Sequence, residues 1–170
     1  MTKLARQWLW VALVVSAAML AIAHAFETFG HLAPCELCLK QREVYWLAAG
    51  LAGVGLVWKR FAGRFDPTRG ISLILVAVFL AETWIAVYHA GAEWKFWPGP
   101  AACSGGVAHI DPDAMRRLLS GAKMGIPACD KPAWVFLGLS MAGWNALAAA
   151  AMTVGSLTAA IAWRSDEAKP

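Results

Sequence analysis

Long apolar runs alternate with short polar segments along this chain. Four runs stand out, at about residues 8–26, 44–58, 71–90 and 133–163. They are apolar on every side rather than alternating, which favours helices over the strands of a membrane β-barrel. Because a bilayer core needs about 20 helical residues, the runs predict helices that cross a membrane.

The pattern predicts an all-α membrane protein, a four-transmembrane-helix bundle formed by a single integral membrane domain (residues 1–170). The helices are expected at about residues 8–26, 38–58, 71–90 and 133–163. The second reaches spanning length if it begins near Cys38. The fourth is longer than a bilayer requires, so it is expected to tilt or to begin as an interfacial segment.

The first run has an alternative interpretation as a cleaved signal peptide. A basic start precedes it, and Ala23-His24-Ala25 resembles a signal-peptidase site. Cleavage there would still leave residue 26 outside the cytoplasm. The predicted topology downstream is therefore the same in both cases.

Composition and charge support the membrane assignment. Hydrophobic residues make up 59% of the chain, against about 45–50% in a typical soluble domain. The net charge is +4, but the basic residues lie mainly beside the apolar runs. That placement indicates membrane topology and contact with anionic lipid, and it disfavours nucleic acid as a partner.

The basic residues also predict the orientation. The linker at residues 59–70 and the amino-terminal tail are rich in lysine and arginine, which places both in the cytoplasm. Residues 91–132 carry basic residues too, but these are diluted over a longer segment that also holds four acids. Both termini are therefore expected inside, with the segments at about 27–43 and 91–132 outside.

The second outer segment contains a short helix signal. Asp111-Pro112-Asp113 supplies an N-cap, a proline at the first helical position and an acid in the first turn. Met115, Leu118 and Leu119 then share one face. This pattern predicts a short helix on the membrane surface, or alternatively a helix packed on the loop itself.

All four cysteines fall in the predicted outer segments. Cys35 and Cys38 form a Cys-x-x-Cys motif at the start of the second helix, where a helix N-terminus stabilises a thiolate. Such a small ring contributes little structural stabilisation, so a reactive role is favoured. Cys103 and Cys129 flank the predicted surface helix in a Gly- and Pro-rich segment, which would let their sulfurs move towards the first pair.

Other roles for the cysteines remain open. A structural zinc site usually takes two closely spaced pairs, and just one pair here is closely spaced. A thioredoxin-like domain would need a βαβ pattern around its motif, which the sequence does not show. Two inert structural disulfides are the serious alternative.

Several polar residues lie beside or within the apolar runs. Arg42 follows Cys38 by one helical turn, where it could stabilise a thiolate or anchor the helix at the interface. Glu82 lies within the third run, where an acid is either functional or held by hydrogen bonds. His89 and Glu93 lie at the outer end of that run, and His89 could relay a proton or simply hydrogen-bond.

These motifs resemble those of the DsbB family of disulfide bond formation proteins. The likeness covers nearly the whole chain, and its segments are Pro34–Cys38 with Gln41-Arg42, Tyr88–Glu93, Phe96–Pro100 with Cys103, Ile126–Asp130, and Phe136–Asn145. The resemblance implies an enzyme of the bacterial inner membrane whose cysteines face the periplasm.

The resemblance also implies an electron relay between the disulfides Cys35–Cys38 and Cys103–Cys129. A periplasmic thioredoxin-fold thiol oxidase of the DsbA type would attack Cys103, Cys129 would then attack Cys35, and Cys38 would be freed beside Arg42. A membrane quinone, ubiquinone rather than menaquinone, would be the acceptor, with His89 a second candidate contact. The alternatives are a quinone/thiol oxidoreductase similar to vitamin K epoxide reductase, and a non-enzymatic membrane protein with structural disulfides.

Overall fold

Four long helices make up most of the computed structural model, which describes Ala5 and residues 7–61, 66–99 and 129–167. A small antiparallel hairpin lies before the last helix. The elements are α1 (Trp8–Thr28), α2 (Glu36–Phe61), α3 (Thr68–Glu93), β1 (Val135–Phe136), β2 (Leu139–Ser140) and α4 (Met141–Glu167). In its described part the chain is therefore mainly α-helical, as predicted.

Three of the four helices are long and apolar enough to cross a membrane, judged by length and composition. They are α1, α3 and the Met141–Ala162 part of α4. Helix α2 is as long as α3, but charged side chains occupy both of its ends, and its uncharged stretch is confined to residues 44–58. These properties are typical of a membrane protein.

Many positions buried between the helices hold small residues, and many bulky apolar residues face outward. Helix α3 packs most extensively on α4, and α1 packs on α2. Ala48, Ala52 and Ala149 are fully buried between helices, whereas Trp84 is 77% exposed and Trp46 60% exposed. Close helix packing through small residues, with large apolar side chains facing outward, is the arrangement expected in lipid.

Helix α4 begins later than predicted. The sequence indicated a helix from about residue 133, but the backbone forms a hairpin there because Leu137 and Gly138 both adopt positive φ, 49° and 79°. Such a turn is incompatible with a right-handed helix. The Ser140 hydroxyl then accepts a hydrogen bond from the Gly143 N–H at 3.1 Å, a capping contact that fixes the start of α4.

The first three helices extend a few residues beyond their predicted limits, and α3 begins at a local cap. The Asp66 carboxylate accepts a hydrogen bond from the Thr68 N–H at 2.9 Å and pairs with Lys59 at 3.0 Å. Burial works to raise the pKa of Asp66, but the hydrogen bonds from Thr68 and Lys59 outweigh it and lower the pKa overall. The predicted surface helix near residues 111–119 lies outside the described residues.

One close contact between helices gives a stability prediction. A Cβ added at Gly155 would overlap the ring of Trp8, a buried side chain whose Nε1–H donates to Ser156 Oγ at 3.1 Å. Gly155→Ala should therefore lower the apparent melting temperature in detergent, with a cost of about 1–3 kcal/mol from overpacking.

The matched control is Gly53→Ala, because nothing lies within 4 Å of a Cβ at Gly53. That change should be neutral or stabilising by up to about 1 kcal/mol, since alanine favours helix over glycine. Equal melting temperatures for the two variants would contradict the packing described at Trp8.

Candidate active site

The Cys-x-x-Cys motif is built into the start of α2. Cys35 comes directly before the helix, and its carbonyl accepts from the Leu39 N–H at 3.1 Å. Cys38 lies in the first turn, with its backbone N–H donating to Cys35 Sγ at 3.2 Å. The two sulfurs are 2.9 Å apart, and both residues are free thiols. The sequence predicted a disulfide between Cys35 and Cys38, but in this structure the pair is a dithiol. The disulfide stays a prediction for the oxidised form of the protein.

The two sulfurs of the motif are not equivalent. The thiol of Cys35 donates a hydrogen bond to the Cys38 sulfur. That bond, reinforced by burial, raises the pKa of Cys35 far above its ordinary value. Cys35 therefore keeps its proton in the dithiol, and Cys38 is the sulfur placed to carry negative charge. The thiolate is the nucleophilic form of cysteine.

The second cysteine couple reaches the first one. Cys129 is disulfide-bonded and only 1% exposed. It forms one buried cluster with Cys35 and Leu37, and the half-buried Cys38 packs against this cluster. Cys103, the expected partner of Cys129, lies outside the described residues. A loop residue more than 90 positions along the chain is thus packed beside the motif at the start of α2.

Contacts at the outer end of α3 help to hold this region. Trp97 stacks on Tyr88 with ring centroids 6.1 Å apart, and its Nε1–H donates to the Tyr88 carbonyl at 2.8 Å. A Cβ at Gly91 would collide with the Trp97 ring, so glycine is required there. Lys95 then pairs with Asp130 at 3.4 Å. The pair joins the end of α3 to the residue after Cys129.

A cavity of about 480 Å³ opens beside the dithiol. Cys35, Cys38, Arg42 and His89 line it, and most of the other lining residues are apolar or aromatic. The aromatic side chains come from α1, the hairpin and α4, and they are Phe26, Trp134, Phe136 and Trp144. Ligand pockets in proteins commonly have volumes of about 300–1,000 Å³ and apolar walls with few polar groups.

Arg42 is held by an acid that the sequence interpretation did not single out. Its guanidinium donates to Glu27 Oε2 at 2.6 Å and to the Ala23 carbonyl at 3.1 Å. Only 14% of its side chain is exposed. The one signal in the sequence was the position of Glu27 at the end of the first apolar run. The ion pair fixes Arg42 in the cavity wall, one helical turn after Cys38.

A buried polar network lies beneath the dithiol, and sequence reasoning missed most of it. Asn145 of α4 is its centre: Oδ1 accepts from the Tyr45 hydroxyl at 2.6 Å, and Nδ2 donates to Glu82 Oε1 at 2.7 Å and to Gln41 Oε1 at 3.1 Å. Gln41 Nε2 is in turn 3.4 Å from His89 Nδ1. Polar residues inside apolar runs were the available signal.

His89 connects this network to the sulfur chemistry. Its Nε2 lies 3.6 Å from Cys35 Sγ and 3.7 Å from Glu93 Oε1. The structure therefore brings together Cys35, Cys38, Cys129, Arg42 and His89, and the roles expected for these residues stay predictions. Glu82 is fully buried and bound to Asn145, away from the dithiol itself.

A paired thiol motif beside an apolar cavity, in a bundle of apolar helices, defines a membrane thiol–disulfide oxidoreductase. Comparison with known proteins agrees: the model of the family described as disulfide bond formation protein DsbB matches residues 5–159. The chain belongs to the DsbB family, and it is a thiol oxidase of the bacterial inner membrane.

Individual relatives give the same result. The chain is 30% identical over 139 residues to disulfide bond formation protein B of Dechloromonas aromatica, covering 76% of each protein. It is 30% identical over 159 residues to disulfide bond formation protein B 2 of Pseudomonas putida, covering 90% of this chain and 89% of the relative. A similar match, 30% over 151 residues, is found in Methylococcus capsulatus.

The ion pair at Arg42 generates a prediction about Cys38. In Glu27→Gln the guanidinium loses its counter-charge and acts unopposed on a sulfur one turn away. Alkylation of Cys38 at pH 7 and low salt, followed by peptide mass mapping, should become about two- to fivefold faster because the thiolate is stabilised.

Asp66→Asn is the matched control, since it removes an acid paired with a base at the opposite end of α2. Its Cys38 alkylation rate should equal that of the native protein. A Cys38 alkylation rate in Glu27→Gln at or below the native rate would show that Glu27 does not weaken the effect of the Arg42 charge on Cys38.

Proposed function

We propose that this protein reoxidises a periplasmic thioredoxin-fold dithiol oxidase of the DsbA type and passes the electrons to a membrane quinone. The cysteines act in series: the partner exchanges with the Cys103–Cys129 disulfide, Cys129 exchanges with Cys35, and Cys38 faces the acceptor. The quinone in this proposal is ubiquinone rather than menaquinone. A single packing observation carries the proposal, namely the burial of Cys129 in one cluster with Cys35.

That packing favours a relay over two inert disulfides. Exchange requires a thiolate to reach a disulfide sulfur, so couples that work in series must meet. Cys35 is 6% exposed and Cys129 is 1% exposed, and an external thiol would have little access to either in this arrangement. An internal exchange between them needs only a small movement of sulfur atoms.

The cavity beside Cys38 has the properties required for a quinone. Its apolar and aromatic walls suit a quinone ring with an isoprenoid tail. Arg42, one turn after Cys38, is the polar side chain that would hold the head group. When bound, the quinone supplies a two-electron acceptor within the membrane. Oxidation of the Cys35–Cys38 dithiol to a disulfide releases two electrons and two protons, which together convert a quinone to a quinol.

The residues of this chain have separate tasks in that reaction. Cys38 presents the more readily ionised sulfur to the cavity, and Cys35 keeps its proton until the disulfide closes. The positive charge of Arg42 favours negative charge developing nearby. The direction of electron flow depends on small differences, since about 30 mV changes the equilibrium of a two-electron couple tenfold.

The proposed topology has four membrane spans, with α2 as the fourth. Lys59 and Arg60 end α2 and Arg69 lies at the start of α3, so the connection between them is placed in the cytoplasm by the positive-inside rule. Both termini then lie in the cytoplasm and the cysteines on the periplasmic side. A short α2 can still span if its charged ends reach the interfaces.

The relay is tested by replacing the cysteine that resolves the first exchange. Cys129→Ala should accumulate a mixed disulfide between Cys103 and a periplasmic thioredoxin-fold protein, detected on non-reducing gels and identified by mass spectrometry. Cys103→Ala is the matched control and should trap no such partner. A Cys129→Ala protein whose Cys103 thiol forms no adduct with the disulfide of the oxidised partner would argue strongly against the relay.

The acceptor is tested separately by trapping thiols in membranes. Both couples should be oxidised when quinone is present and become reduced when quinone is depleted and reduced partner is supplied. Repeating the measurement with ubiquinone or menaquinone as the sole quinone tests the preference between them. Couples that stay oxidised without quinone would indicate inert structural disulfides.

The topology is tested by labelling with a membrane-impermeant thiol reagent. After reduction, Cys103 should be labelled in intact spheroplasts. In a variant without native cysteines, Arg64→Cys should be labelled only after the membrane is opened. The reverse pattern would place the dithiol in the cytoplasm and exclude the proposed partner.

A further inference from the structure

The buried network beneath the dithiol has a defined direction. Asn145 uses Oδ1 to accept from the Tyr45 hydroxyl and both hydrogens of Nδ2 to donate, one to Glu82 and one to Gln41. With its amide fully used, Asn145 presents a donor to Gln41. Gln41 must therefore turn Oε1 towards Asn145, which leaves its Nε2 facing His89.

This direction continues into the imidazole of His89. Gln41 Nε2 is a donor and lies 3.4 Å from His89 Nδ1, so Nδ1 has to accept. A neutral imidazole carries one N–H, and an acceptor at Nδ1 leaves that proton on Nε2. Nε2 is the nitrogen that faces Cys35 Sγ at 3.6 Å and Glu93 Oε1 at 3.7 Å.

We propose that Asn145 and Gln41 are positioning residues that lock His89 in the tautomer protonated on Nε2, so that His89 donates a hydrogen bond to the Cys35 sulfur. Five side chains from three helices carry this assignment: Gln41 and Tyr45 from α2, Glu82 and His89 from α3, and Asn145 from α4. All five are at most 8% exposed. Water therefore does not compete for their hydrogen bonds.

The fixed tautomer makes His89 a hydrogen-bond donor at the dithiol. A histidine that already carries its proton on Nε2 is a donor to Cys35 and not the base that removes the Cys35 proton. The hydrogen bond strengthens when Cys35 becomes a thiolate, the form in which its sulfur attacks or leaves during exchange. His89 then stabilises the transient negative charge on the Cys35 sulfur, while Arg42 stabilises negative charge at Cys38.

The tautomer can be measured directly in the full-length protein. The chain has four histidines, and the ¹⁵N and ¹H resonances of His89 can be assigned by their loss in His89→Gln. Two-bond couplings distinguish a proton on Nε2 from one on Nδ1. The native reduced protein should show His89 neutral and protonated on Nε2, and Gln41→Met should populate both tautomers because the donor to Nδ1 is gone.

Thr83→Val is the control for general disturbance of the bundle. Thr83 lies on the same helix as His89 and bonds the Phe79 carbonyl and Thr153, outside the network. Its His89 spectrum should match that of the native protein. A native His89 protonated on Nδ1, a doubly protonated ring, or a Gln41→Met spectrum with Nε2 still fully protonated would each overturn the proposal.

The rate of Cys35 alkylation provides a chemical test of the same tautomer assignment. In a Cys38→Ser background, Cys35 alkylation at pH 7 should slow by up to about twofold on adding Gln41→Met, because the two tautomers then share the His89 population and only the one protonated on Nε2 donates to the thiolate. Adding Thr83→Val should leave the rate unchanged. The role given to His89 during exchange rests on the proposed function. Neither measurement uses quinone or partner, so a failure of the tautomer assignment can be distinguished from a failure of the proposed function.

Discussion

Polar groups placed between apolar helices have no water to satisfy them and must satisfy one another. In this protein that constraint acts through Asn145, whose amide joins side chains from α2 and α3 to α4. An unpaired buried polar group costs about 1–3 kcal/mol, so a shift of any one helix along its neighbours would break several bonds together. The network therefore fixes the register of three helices, and with it the position of the dithiol above the cavity.

The sulfur chemistry depends on this register. Cys35 and Cys38 are placed by the first turn of α2, His89 by the outer end of α3, and Cys129 by the segment that leads into the hairpin. Each element contributes one part, and none forms a site alone. Both cysteines line the cavity. The asymmetry of the dithiol, with Cys35 donating to Cys38 and Cys38 one turn before Arg42, arises where these elements meet.

Local patterns in the sequence were sufficient for most of the fold. The apolar runs predicted all four helices within a few residues, apart from the start of α4, where the turn at Leu137-Gly138 interrupts an apolar run without a charge to mark it. The proximity of Arg42 to the Cys-x-x-Cys motif could be predicted because Cys35, Cys38 and Arg42 lie within eight residues of sequence. The Gln41–Asn145 contact joins residues 104 positions apart, and the partner Glu27 comes from another helix. Neither leaves a periodic signal, so both needed the three-dimensional packing.

The cavity has an outer wall as well as an inner one. Ile22 lines it and is also 51% exposed on the surface of α1, so the space beside the dithiol borders the region occupied by acyl chains. An oxidant would then arrive by two-dimensional diffusion in the plane of the bilayer, while water-soluble electron acceptors are excluded by partitioning. The rate of disulfide formation by this protein would thereby depend on oxidants dissolved in the lipid, and not on solutes of the surrounding medium.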